Sequence, residues 1–118
     1  MLIGDHSEVE PYSDLADALE SRIVVIETDR TRRLDELGDP PAGTDPEIDW
    51  NTPWYRREAR LERIHLYLHR RAKRPLLAAL RAAYVKTWGK NPSFSYFFPQ
   101  HTFDAIWRRA YARMQTGS

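Results

Sequence analysis

The sequence predicts an all-α fold: a single compact domain, residues 1–118, folded as an irregular bundle of about four helices with a Pro/Asp-rich connector. Three observations predict it. Leu15, Leu19, Ile23, Ile26, Leu34 and Leu37 recur at the three- and four-residue spacing that lines one side of a helix. Two later stretches repeat that period, one after Pro53 and one after Thr102. Residues that start and stop helices, Thr52-Pro53, Gly38 and Gly89, fall where the periodic stretches begin and end.

The first helix begins near Ser13, a suitable N-cap, with Asp14 and Asp17 placed to favour the positive end of the helix dipole. Its weak point is Ile23-Val-Val-Ile26, four β-branched residues that also suit a short strand. Helix is the preferred reading, because the period continues on both sides. Residues 38–53 carry four prolines among aspartates and cannot be helical throughout. Ile48 and Trp50 suggest that the second half of this connector is pinned to the body.

Thr52 and Pro53 read as N-cap and first helical residue of a helix over 53–72. Pro75 either kinks that helix or opens another, which continues to Gly89 with Leu76, Leu77, Leu80, Tyr84 and Trp88 on one face. Ala78, Ala79 and Ala82 on the other face allow close approach of a second element. After an aromatic loop, Thr102 caps the last helix, which turns Phe103, Ile106, Trp107, Ala110 and Met114 inward.

Composition narrows the function. There is no cysteine, so disulfides, zinc–thiolate sites and Cys nucleophiles are excluded. No apolar run reaches 18 residues, and Met1-Leu-Ile is too short for a signal-peptide core, so a soluble cytoplasmic protein without membrane contact is expected. The net charge of +1 hides a division: residues 1–50 sum to −10 and residues 51–118 to +11. Either the acidic part closes over the basic part, or a basic surface is left for an anionic partner.

The stretch Glu62-Arg-Ile-His-Leu-Tyr-Leu-His-Arg-Arg71 tests these options. At 100° per residue, Trp54, Leu61, Ile64, His65, Leu68 and Ala72 form an apolar stripe. Glu58, Glu62 and His69 lie beside it. Arg56, Arg60, Arg63, Tyr67, Arg70, Arg71 and Arg74 share the opposite side. Glu62 and His65 have the i, i+3 spacing of carboxylate-bridged di-metal bundles, which need a second Glu-x-x-His. None exists, and His6 and His101 lie outside the helices as read. The expectation is therefore no metal and no cofactor, with His65 at the core edge and His69 paired with Glu62 or solvent.

No Gly-x-Ser-x-Gly or Gly-rich phosphate loop is present, and no catalytic carboxylate pair stands out, so no enzyme is expected. The arginines are different. Arg56–Arg60 and Arg70–Arg74 are like-charged i, i+4 pairs, and neither Glu58 nor Glu62 has an arginine four residues onward. The expected partner is nucleic acid, DNA or RNA, held through its backbone without sequence preference. The alternative is an adaptor or inhibitor meeting an acidic protein, and the connector acids Asp39, Asp45, Glu47 and Asp49 are competing internal neutralisers. Of Phe94, Tyr96, Phe97 and Phe98, beside Lys86 and Lys90, either Phe94 and Phe97 plug the bundle's end while the others cover it, or the group forms a partner patch or a stacking platform for bases. In size, helicity and basic face the chain is similar in outline to small helical subunits of CRISPR effector complexes, with no motif shared. Oligomeric state is not legible.

Overall fold

The computed structural model describes residues 10–89 and 99–116. A single 3-10 turn, Glu10–Tyr12, leads into α1 (Ser13–Leu37), followed by α2 (Pro53–Trp88) and α3 (Gln100–Gln115). No strand occurs among the described residues. Ile23–Ile26 is helical, with Ile23 and Ile26 buried and Val25 exposed, so burial follows the helical period and the strand alternative falls away.

Among the described residues three long helices replace the expected four, because α2 runs through Pro75 without interruption. A proline inside a helix costs about 3 kcal/mol or more through its missing donor and its clash with the preceding turn. Packing on both sides of it outweighs that cost. Leu76 is 1% exposed and Ala72, one turn earlier, packs against the same cluster.

The 36 residues of α2 span about 54 Å at 1.5 Å each. That length sets the shape: the fold measures 56 × 35 × 19 Å, with a radius of gyration of 18.1 Å. A compact domain of this size has a radius of about 13–14 Å. The molecule is therefore elongated where the sequence suggested a compact bundle.

The core gathers at one end. Ala16, Leu19 and Ile23 of α1, Leu76 of α2, and Phe103, Ile106 and Ala110 of α3 form one buried cluster. Helix α1 packs along both other helices. The first half of α2 reaches beyond α3 and rests on α1 through half-buried Leu61, His65 and Leu68, while Ile64 is already partly exposed. Trp88, placed inward by the sequence pattern, is 66% exposed.

The helix ends follow local sequence chemistry only in part. Gly89 takes the left-handed conformation, φ 74°, and its N–H donates to Val85 O at 2.7 Å, closing α2. Thr52 does sit at the N-cap of α2 in extended conformation, but its hydroxyl donates back to Asp49 O at 2.8 Å. Thr102 is not a cap. α3 begins two residues earlier, behind Pro99, and Thr102 is buried in its first turn.

Candidate functional site

Every arginine of the predicted face is exposed: Arg56, Arg60, Arg63, Arg70, Arg71 and Arg74, with Tyr67 among them. Arg56 and Arg70 stand about 21 Å apart along one helix. Among the described residues, none of these six arginines takes part in an ion pair.

The acidic half closes on the basic half somewhere else. Arg109 Nε donates to Glu20 Oε1 at 2.7 Å, and its terminal nitrogen donates to Asp17 Oδ1 at 2.7 Å. Arg113 adds a bond to Glu20 Oε2 at 3.1 Å. The charge division of the sequence thus joins α1 to α3. On α1 itself, Asp29 holds Arg32 and Arg33, and those two hydrogen bonds, Arg33 first, keep its carboxyl below the usual range.

Two of the connector acids, Asp45 and Asp49, bond their own loop. Asp49 Oδ2 accepts from the Asp45 N–H at 2.8 Å, and Asp45 Oδ1 accepts from the Glu47 N–H at 2.9 Å. These bonds satisfy the turn that delivers the chain to Thr52. None of the connector acids reaches an α2 arginine in an ion pair.

Ile48 and Trp50 are exposed by 76% and 65%, not pinned to the body as their character suggested. Trp50 instead lines an open groove with Pro53, Arg56, Arg57, Ala59, Arg60 and Arg63. Sequence reasoning missed Trp50 and Arg57 as members of this surface. The available signal was that only two residues, Asn51 and Thr52, separate Trp50 from the start of the arginine helix.

A second constellation lies on the apolar side of α2. The Glu27 side chain, 12% exposed, reaches from α1 to both histidines of α2: Oε2 contacts His65 Nε2 and lies 3.2 Å from His69 Nε2. The imidazole rings of His65 and His69 are edge-to-face at 4.5 Å, and Trp107 of α3 packs at 5.0 Å from His69. Burial is the largest influence on His69 and lowers its pKa, against the opposing hydrogen bond to Glu27. Glu62 does not pair with His69. It pairs with Arg30 of α1.

Glu27 was legible only in part. It follows Ile23 by one turn on the buried side of α1, and a carboxylate on an apolar stripe signals a polar partner across the interface. Which helix would face it was not in the local pattern. His101 lies exposed in the first turn of α3, although the sequence reading placed it in a loop. Lys86 is exposed near the end of α2, while Lys90, Phe94, Tyr96, Phe97 and Phe98 lie outside the described residues.

Among the described residues no helix is long and apolar enough to cross a membrane. No family model matches the chain, and neither a curated protein nor a solved structure matches it significantly.

Proposed function

We propose that this chain is a non-enzymatic helical accessory protein that binds the nucleic-acid backbone, without reading sequence, through the arginine face of α2. It acts alone or within a nucleoprotein assembly. One contrast carries the reading. Arg30, Arg32, Arg33, Arg109 and Arg113 all engage carboxylates, whereas the six arginines of the α2 face are in no ion pair among the described residues.

Like-charged neighbours one turn apart cost a helix a few tenths of a kcal/mol per pair. Phosphates remove that repulsion, and neutralising each one releases condensed counterions. Arginine suits this work because its planar fork can hold two phosphate oxygens at once. From 51 to 81 the chain has eight arginines and one lysine. Exposed Trp50, in the groove with Arg56 and Arg60, adds a flat apolar surface on which an unpaired base can stack.

The test is binding to single- and double-stranded nucleic acid across a salt series. Four phosphate contacts, at Arg56, Arg60, Arg63 and Arg70, give a slope of log K against log salt of about −3 to −4. A protein that ignores both DNA and RNA at low salt sinks this reading. The same face would then be assigned to an acidic protein partner.

A further inference from the structure

Glu27, His65 and His69 offer three ligand atoms that all lie within 4.8 Å of one another. Among the described residues this is the one group of three or more such side chains that converges in this way. We propose that these residues bind one divalent transition-metal ion of the zinc class, which joins α1 to α2. The nucleic-acid reading plays no part in this inference.

The geometry is that of a ligand set before the ion enters. Zinc–nitrogen and zinc–carboxylate bonds are about 2.0–2.2 Å, so two ligands of a tetrahedral ion sit about 3.4 Å apart. Glu27 Oε2 and His69 Nε2 are 3.2 Å apart. His65 Nε2 converges on the same oxygen. A small outward shift of His65 opens the centre, and its side chain, 20% exposed, is the least buried of the three.

Spacing supports the same assignment. His65 and His69 are i, i+4 on one helix face, the arrangement by which a helix presents two imidazoles to one zinc ion. The third ligand then has to come from another element, and Glu27 comes from α1. Two imidazoles and one carboxylate form a donor set used by zinc, with a fourth place left to water. Imidazole donors disfavour calcium and magnesium, which take oxygen ligands.

Charge balance gives an independent reason. The Glu27 carboxylate is largely removed from water, and its ion-pairing partners are the two histidines. Arg30, the nearest arginine in sequence, is committed to Glu62. A carboxylate this far from water gains from a cation held against it. A dication at the convergence point supplies that charge. Trp107 beside His69 holds the imidazole from the α3 side, so the ligand is positioned before metal arrives.

The experiment uses the full chain, purified without a histidine tag and stripped with a chelator. Zinc is titrated by calorimetry, and cobalt serves as a spectroscopic probe. The expected result is one ion per chain, a visible cobalt absorption of a four-coordinate nitrogen–oxygen site, and a higher melting temperature with zinc. Glu27→Gln and His69→Gln should each weaken binding by at least about tenfold, since even outer-shell partners of metal ligands cost roughly 10–100-fold. His101→Ala, on exposed α3 surface, should bind as the parent does. If His69→Gln fails to fold, His65→Gln at the more open position decides the matter. A folded parent that takes up neither zinc nor cobalt stoichiometrically at micromolar metal overturns the proposal. So does a folded Glu27→Gln or His65→Gln chain with undiminished affinity.

Discussion

Ile106→Ala is expected to destabilise the protein by about 2–5 kcal/mol, lowering the melting temperature by roughly 8–20 °C. Ile106 is fully buried on α3, in the cluster shared by Leu19 and Ile23 of α1 and Leu76 of α2. Truncation removes contacts to both other helices at once. Few residues are available to compensate, because eight apolar side chains make up the buried core among the described residues. Total stability of a domain is typically 5–15 kcal/mol, so this one change takes a large share of it. Val25→Ala, at a position 55% exposed on α1, should stay within about 0.5 kcal/mol. Denaturant unfolding followed by helical circular dichroism measures both, and equal effects at the two positions would mean that the core is elsewhere.

Reversing Arg56, Arg60, Arg63 and Arg70 to glutamate together should abolish nucleic-acid binding. Non-specific affinity typically lies near 10⁻⁴ to 10⁻⁶ M at physiological salt and is almost entirely electrostatic. The reversal removes four cations and sets four anions against the phosphates. Single Arg→Ala changes should each flatten the salt slope by nearly one unit, equally for all sequences. Folding should be little affected, since all four side chains are exposed and outside the ion pairs of the described residues. A single Arg→Ala change at 56 or 60 even favours the helix slightly, because it removes one of two like-charged i, i+4 neighbours. A folded quadruple variant that binds as tightly as the parent would exclude this face as the interface.

The arginine face was legible because helical position alone decides it. Once 53–74 is helical, 100° per residue puts Arg56, Arg60, Arg63 and Arg70 on one side, and exposure follows from their distance to the apolar stripe. The same arithmetic identified Leu76, Ile106 and Ala110 as inward-facing. What the sequence could not supply was the pairing of faces across elements. Glu62 and His69 share a face of α2, yet each is taken by a residue of α1, Arg30 and Glu27. Pro75 reads as a break because local energetics disfavour it, and only packing of Leu76 on α1 and α3 shows why α2 continues. Ile48 and Trp50 look like core residues by type, but the connector's own hydrogen bonds hold them outward.

The uneven length of the three helices also has a kinetic side. Amide hydrogens at 72–80, in the part of α2 that carries Leu76, Leu77 and Leu80 into the buried cluster, can meet solvent only when the whole fold opens. Those at 54–68 are held mainly by α1, with one hydrogen bond from Tyr55 to Thr44 of the connector, and can be released by peeling one end of α2 away, at a lower free energy. Deuterium should therefore enter 54–68 first, with a step in protection near His69, and a uniform rate along α2 would contradict this. The stretch that bears Arg56, Arg60 and Arg63 is then the easiest part of the long helix to unwind and re-form. A curved or irregular polyanion can thus be followed by local adjustment at one end while the three-helix junction stays closed.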